Sequence, residues 1–522
     1  MKLLNFVSGR WVEGGDPGVA LRDPVLGTEL ARASTEGIDF AAALDYSRRT
    51  GGPALRKLAY AERAGLLTKI ADVLSANRTA YFEIALANSG SPESDASIDI
   101  DGAIFTIKYY ARTAAQLGNA RYLKDGELAR LGKDDAFQGL HIAVPVRGVA
   151  ILINAFNFPA WGLWEKAAPA LLSGVPVLVK PATATCWLAQ RMVEDVVNAG
   201  VLPEGAISII CGGVGGLFDH VTGSDVVSFT GSAETAARIR GHAMVLRNAT
   251  RVNVEADSLN AAILGPDARP GTPEFDLLVR EVVREMTVKA GQKCTAIRRV
   301  LVPATQRGAV AEAIAAKLAK VIVGNPRNKD VRMGPLVSKD QQAAALRGIA
   351  ALRRETKALF DGGSDFRPLD ADAERAAFVP PTLLGCEDGL AARAVHEIEV
   401  FGPVATLVPY ADSAQVFAIA RLAQGSLVAS VFSGDAEYLK EAAVELAESH
   451  GRVLTVNAAV GQSQTGHGNV MPMCLHGGPG RAGGGEELGG LRALAFYHRR
   501  SAIQGPVDRL NAIAEQAAEV RY

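Results

Sequence analysis

The stretch Val149-Ala150-Ile151-Leu152-Ile153 and its successor Val175-Pro176-Val177-Leu178-Val179-Lys180 are almost wholly apolar, with a helical segment, Trp164 to Leu172, between them. The pattern repeats through a helix from Ala184 to Ala199 and two further apolar runs, Ala206-Ile207-Ser208-Ile209-Ile210 and Val226-Val227-Ser228-Phe229. Strands that are apolar on both sides and alternate with helices predict a parallel sheet covered on both faces. Such sheets bind ligands beyond the carboxyl ends of their strands. Three of these ends carry polar residues: Asn157 beyond the first, Lys180 closing the second, and Thr230-Gly231-Ser232 after the fourth. The fold class is α/β, and the first candidate site is that edge.

Before this region, residues 5–34 read as short strands broken by Gly14-Gly15, Asp16-Pro17 and Asp23-Pro24, which are turn signals. Residues 41–120 are largely helical, with apolar faces set against charged ones. Asp134 to Gly139 has turn character, and Leu140 to Val146 after it reads as a hairpin arm. His141 in that arm is expected on the sheet surface, because nothing nearby has metal-ligand spacing. A second α/β segment runs from about 261 to 470, with a strand at Val404–Val408 and helices at Ala309–Lys320 and Gln341–Thr356. The tail is glycine-rich at 477–480 and 483–485, then predicts a strand over Ala493–Tyr497 and a short helix from Val507.

Within the second segment lies Gly291-Gln292-Lys293-Cys294-Thr295-Ala296-Ile297-Arg298-Arg299. A helical run, Phe275 to Lys289, should stop near Ala290-Gly291, since glycine readily ends a helix. An apolar strand, Val300-Leu301-Val302, follows. Cys294 therefore sits at a helix-to-strand turn among small residues. A thiol there can be reached by a substrate, and Lys293 beside it would favour the thiolate. The other reading of such a residue is a buried structural cysteine. The five cysteines are scattered without CxxC spacing, so neither a disulfide framework nor a metal site is expected.

At 522 residues the chain should divide into two or more domains. Its 48% hydrophobic and 21% charged content is that of a soluble globular protein. A net charge of -1 supplies no field for nucleic acid or an anionic membrane. The N-terminus meets Ser8, Gly9 and Arg10 too soon for a signal-peptide core. The most membrane-like stretch, Gly148 to Trp164, is interrupted by Asn154, Asn157 and Pro159 and runs into Glu165-Lys166. A cytoplasmic protein without membrane or nucleic-acid partners is expected.

Asn157-Phe158-Pro159, Lys180-Pro181, Phe229-Thr230-Gly231-Ser232, Glu255, Gly291-Gln292-Lys293-Cys294 and Glu399-Val400-Phe401-Gly402-Pro403 occur in this order over nearly the whole chain. In this the sequence resembles the aldehyde dehydrogenase superfamily. The resemblance implies a Rossmann-type cofactor domain at 1–123 and 145–261, an α/β catalytic domain at 262–470, and a β oligomerisation arm and tail at 124–144 and 471–522. It implies Cys294 as the nucleophile that forms a thiohemiacetal and then a thioester. Asn157 and the Cys294 backbone N–H would be the oxyanion donors, and Glu255 the base that activates water. For a nicotinamide cofactor it implies Lys180 and Thr183 at the adenosine ribose, Thr230, Gly231 and Ser232 at the pyrophosphate, and Glu399 with Phe401 at the nicotinamide ribose.

Glu255 is typically missing from members that pass the acyl group to coenzyme A, so its presence predicts a free acid product. NAD-preferring members commonly carry a glutamate three residues after the lysine, where this chain has Thr183. A carboxylate would repel a 2′-phosphate, whereas Thr183 and Lys180 can donate to one. NADP is therefore expected over NAD, with NAD possible.

Two departures from the family pattern narrow the resemblance. Glu255-Ala256-Asp257-Ser258-Leu259-Asn260 replaces the usual Glu-Leu-Gly-Gly-Lys, and Leu475-His476-Gly477-Gly478-Pro479-Gly480 leads to Glu486-Glu487-Leu488-Gly489-Gly490. Both look like the aldehyde dehydrogenases of CoA-dependent aromatic degradation. Some of these carry a C-terminal hydratase, for which a chain ending at Tyr522 has no room; the stand-alone type fits better. A CoA-linked semialdehyde substrate follows, with a homodimer or dimer of dimers. His476 is either a substrate contact or a solvated loop residue.

Overall fold

The computed structural model describes residues 1–363 and 366–520. Arg521 and Tyr522, the last residues of the expected tail, lie outside the described residues. Two seven-stranded sheets carry the fold. In the first, the spatial order is Arg251–Glu255, Val226–Thr230, Ala150–Ile153, Val177–Lys180, Ile207–Ile209, then Asn5–Val7 and Arg10–Val12. The five central strands are parallel, and the N-terminal pair closes one edge in antiparallel fashion. Their register decides where the chemistry goes. Ile153 stands opposite Lys180, and Thr230 opposite Glu255, so the polar strand ends fall along one edge.

The apolar strands are buried on both sides, as their composition predicts. Ala150, Leu152, Val177 and Val179 belong to one core cluster. Val149, Ile151, Ile153 and Leu178 face another across the same sheet. This is the period-two alternation of a strand, with helices covering each face.

Six residues after Glu255 the chain enters the second sheet at Ala261–Leu264. Its order is Lys357–Phe360, Thr382–Gly385, Val404–Tyr410, Arg299–Pro303, Ala261–Leu264, Ser426–Phe432 and His450–Val456. All are parallel except the edge strand Lys357–Phe360. Ala261 and Ile263 face one cluster, and Ala262 and Leu264 the other.

The arm is a separate sheet built from distant segments. Phe137–Pro145 pairs antiparallel with His498–Pro506 and also with Leu123–Lys124 and Ala129–Arg130. His141 is exposed there, as expected. The predicted strand Ala493–Tyr497 is not one: Gly490–Tyr497 forms 3-10 turns, and the strand starts at His498. Leu491, Leu494 and Tyr497 are the buried residues that explain this. Spaced by three, they share one side of a three-residue turn, whereas a strand would split them between faces. Among the described residues no helix is long and apolar enough to cross a membrane.

Candidate active site

The Cys294 loop is shaped by the way its helix ends. Thr272 caps the helix Pro273–Thr287 by accepting from the Phe275 N–H, with proline in the first turn. After Thr287 the backbone turns left-handed at three consecutive residues, Lys289 (φ 53°), Ala290 (φ 52°) and Gly291 (φ 68°). Two of these are not glycine and carry strain, so neighbouring contacts must hold them. The Lys289 N–H donates to Asp95 at 2.6 Å. The Lys289 ammonium lies over the Phe158 ring, 4.7 Å from its centre. At Gly291 a Cβ would come within 2.2 Å of the Gly402 carbonyl, so only glycine fits.

The same loop is braced from both sides. Arg298 donates to the carbonyls of Gly402 (2.8 Å), Gly291 (2.9 Å) and Lys293 (3.2 Å). The Asn260 amide donates to the Cys294 carbonyl at 2.7 Å and to the Ala296 carbonyl at 2.9 Å. Its oxygen accepts from Ser258 Oγ (2.7 Å) and the Val428 N–H (3.0 Å). Ser258 and Asn260 belong to the segment that departs from the family pattern. Sequence reasoning assigned them no role, because nothing local shows which loop their side chains reach.

Cys294 is half-buried and lines two cavities. One, of about 780 Å³, lies against the strand ends of the first sheet and is lined by Asn157, Lys180, Thr230, Gly231, Ser232, Glu255, Glu399 and Phe401. The other, of about 260 Å³, is lined by Phe105, Thr106, Phe158, Trp161 and Val470. No other described residue lines both. The sequence-predicted residues thus line one cavity, apart from Thr183 and from His476, which meets Glu255 behind the cavity wall.

Lys293 does not support the thiolate. Its ammonium is taken up in a buried pair with both Glu285 oxygens at 2.7 Å. Burial, and then the Glu255 carboxylate, push the Cys294 thiol well above its usual range. A thiol held neutral in this way needs a base to take its proton. Glu255 stands beside it: a carboxylate oxygen and the Cys294 sulfur lie within 4.8 Å of each other.

His476 is neither solvated nor on a loop. It lies in the short strand Leu475–Gly477, 2% exposed, with Nε2 3.1 Å from Glu255 Oε1. Its ring packs 5.5 Å from that of Trp161. Burial works against charge on Glu255, but His476 and then Lys166 outweigh it and hold the carboxyl below the usual range. The same pairing raises His476 against the effect of burial. Behind this pair Lys166 contacts both Glu165 and Glu487, the latter at 2.8 Å, and all three are buried. In the sequence Glu165-Lys166 marked only the charged end of an apolar run; its partner Glu487 lies far along the chain.

On the large-cavity side, Lys180 has no ion-pair partner among the described residues, and burial lowers its pKa. Thr183 donates its hydroxyl to the Gly212 carbonyl at 3.2 Å. Ser232 caps the helix Ala233–Arg240, accepting from the Thr235 N–H at 3.3 Å. Asp257 accepts from the Ala233 N–H at 3.0 Å and lies 3.6 Å from Arg481. Glu399 accepts from the Ser258 N–H at 3.2 Å through Oε2. Its Oε1 is buried without a hydrogen-bond partner among the described residues, 3.6 Å from Arg298 Nε. Burial pushes Glu399 up to about 7. Phe401 meets Phe156 edge-on, with ring centres 5.6 Å apart. An unpaired ammonium near one part of the cavity and an orphaned carboxylate oxygen near another suit a dinucleotide, which has phosphates to accept and ribose hydroxyls to donate.

Comparison with known proteins agrees with this geometry. The sequence profile of the Aldehyde dehydrogenase family matches residues 11–503. The 3,4-dehydroadipyl-CoA semialdehyde dehydrogenase of Aromatoleum evansii is 63% identical over 479 residues, covering 92% of this chain and 93% of that protein. The alpha-ketoglutaric semialdehyde dehydrogenase of Bacillus subtilis is 28% identical, over 82% of this chain and 85% of the relative. In fold, the chain is similar to the crystal structure of betaine aldehyde dehydrogenase from Staphylococcus aureus in complex with NAD+. There the TM-score is 0.82 at 24% identity, covering 97% of this chain and 95% of that one.

Proposed function

The chain belongs to the aldehyde dehydrogenase family, and from that premise we propose that it oxidises 3,4-dehydroadipyl-CoA semialdehyde to the free acid, with NADP preferred over NAD. The observation that carries the chemistry is Cys294 standing alone between two cavities. Aldehyde enters through the smaller cavity, and the dinucleotide occupies the larger.

Glu255 takes the proton of the Cys294 thiol, and the sulfur attacks the aldehyde carbon. Negative charge then develops on the former carbonyl oxygen. The Asn157 amide and the Cys294 N–H donate to it, and fixed donors of this kind lower the barrier because they need no reorganisation. The nicotinamide, when bound, supplies the two-electron acceptor that leaves a thioester on Cys294. Glu255 passes the thiol proton to solvent, returns to the carboxylate that His476 favours, and next takes a proton from water. That water attacks the thioester, releases the acid and returns the thiol. His476 serves here as the partner of Glu255, not as a substrate contact.

The cofactor would be held by Lys180 at the adenosine ribose and by Thr230, Gly231 and Ser232 at the pyrophosphate, where helix N-terminal amides assist. Glu399 and Phe401 would hold the nicotinamide ribose. The preference for NADP rests on Thr183 standing where a carboxylate would repel the 2′-phosphate. Competition by 2′-phospho-ADP-ribose tests it: no inhibition would count against NADP.

We divide the chain into a cofactor domain (1–123 and 145–261), a catalytic domain (262–470) and an arm with tail (124–144 and 471–522). Membership of the two large sheets supports the division. Leu131 (49% exposed) and Phe137 (46%) sit on the arm, which supports a homodimer or dimer of dimers formed through it; light scattering would read the mass. We place the enzyme in the cytoplasm.

The deciding assay follows NADPH formation with CoA-linked and free six-carbon semialdehydes, for wild type and Cys294→Ala. Activity confined to the CoA-linked substrate and lost in the variant is expected. Equal rates on free aldehydes would remove the substrate assignment and keep the reaction.

A further inference from the structure

We propose that Cys294, His476 and Glu255 form a binding site for a zinc-class divalent cation, which reversibly blocks the thiol. One sulfur, one imidazole nitrogen and one carboxylate oxygen lie within 4.8 Å of one another. His476 Nε2 and Glu255 Oε1 are 3.1 Å apart. Zinc bonds of about 2.0–2.3 Å in a tetrahedron place ligand atoms about 3.3–3.6 Å apart, so small side-chain shifts bring all three onto one ion.

The three ligands stand on fixed backbone. Glu255 closes a strand of the first sheet, paired with Thr230. His476 lies in a two-stranded ladder opposite Glu487. The Cys294 carbonyl is pinned by Asn260. Glu255 and Cys294 both line the larger cavity, which leaves room for a water as fourth ligand, as in zinc sites that keep an open position.

The donor types select the ion. Thiolate and imidazole favour zinc, cobalt and cadmium, whereas magnesium and calcium require more ligands and mostly oxygen. The neighbouring cluster of Glu165, Glu255 and Glu487 offers no rival site, because the Lys166 ammonium already lies within it.

Binding does not depend on the proposed reaction; only the inhibition does. The test titrates cofactor-free enzyme with Co2+ and follows the ligand-field and sulfur-to-cobalt charge-transfer bands. One tetrahedral Co2+ per chain with a sulfur band, displaced by equimolar Zn2+, is expected. Aldehyde oxidation should fall in parallel with Zn2+ occupancy and return with chelator, and Mg2+ should displace nothing. His476→Phe should weaken Zn2+ by at least about 100-fold, more than loss of an outer-shell partner typically costs. Cys294→Ser should abolish the sulfur band, and Cys474→Ser, at the exposed cysteine, should leave it intact. If His476→Phe does not fold, the intensity of the wild-type ligand-field bands still separates tetrahedral from octahedral binding. Octahedral Co2+, a band that follows Cys474, or unchanged affinity in His476→Phe would overturn the site. Binding without inhibition would instead count against the role of Cys294 in turnover.

Discussion

Asn260→Asp probes the brace behind Cys294. The amide donates to the Cys294 and Ala296 carbonyls at 2.7 and 2.9 Å, while its oxygen accepts from Ser258 and Val428. Aspartate keeps the shape and the acceptor but sets a second oxygen against two carbonyls. Each buried carbonyl left without a donor costs about 1–3 kcal/mol, so the loss is about 2–6 kcal/mol, shared between stability and loop position. A loop displaced by about 1 Å can lower kcat by about 100-fold, whereas the KM for NADP, set at the other end of the cavity, should stay within about twofold. The loss also carries a pH signature. Buried against carbonyls, the introduced carboxyl would have its folded pKa raised above the unfolded value of about 3.9. Its penalty is then full above the folded pKa and relieved as pH falls through it, because the protonated acid can donate to one carbonyl. Urea unfolding and the alkylation rate of Cys294, each at two pH values, read this directly. Wild-type stability together with wild-type kcat would refute the bracing role. A deficit that does not shrink with acid would refute its hydrogen-bond origin.

Glu255→Gln should lower the steady-state rate by about 10²–10⁴, the usual range for a positioned base, with acyl-enzyme visible by intact mass; an unchanged rate would remove Glu255 from water activation. Thr183→Glu should raise the KM for NADP by about tenfold, or about 1.4 kcal/mol, and improve NAD use; retained NADP preference would mean that another element reads the phosphate. Because burial raises Glu399 to about 7, cofactor affinity should weaken as pH falls through that value and the acceptor is neutralised. The stability penalty of its charge has the opposite slope, full above about 7 and relieved as pH falls toward the usual 4.5. Calorimetric titration of NADP against pH checks the first and chemical unfolding the second, with Glu399→Gln expected to flatten both.

Much of the site was legible without coordinates because it is tied to strand ends. Apolar runs such as Val149–Ile153 and Val175–Val179 declare a sheet buried on both faces, and the residue closing or just following each run must lie at its carboxyl edge. That placed Asn157, Lys180 and Thr230 together; Glu255 was named by the family resemblance, and register set it beside Thr230. Cys294 was readable as a helix-to-strand turn for the same local reason.

What the tertiary structure decided was the partner of each side chain. Lys293 adjoins Cys294 in the chain yet reaches Glu285. His476 has the composition of a glycine-rich loop around it, yet is buried against Glu255. Asn260 holds a loop that lies beyond the whole Cys294 helix. Leu494 and Tyr497 looked like part of a strand until their burial together with Leu491 wound them into turns. Periodicity and strand ends are properties of neighbours along the chain, and a sequence states them directly. The direction of a side chain depends on which distant segments bring charge and bulk to it, and that is settled only when the chain packs.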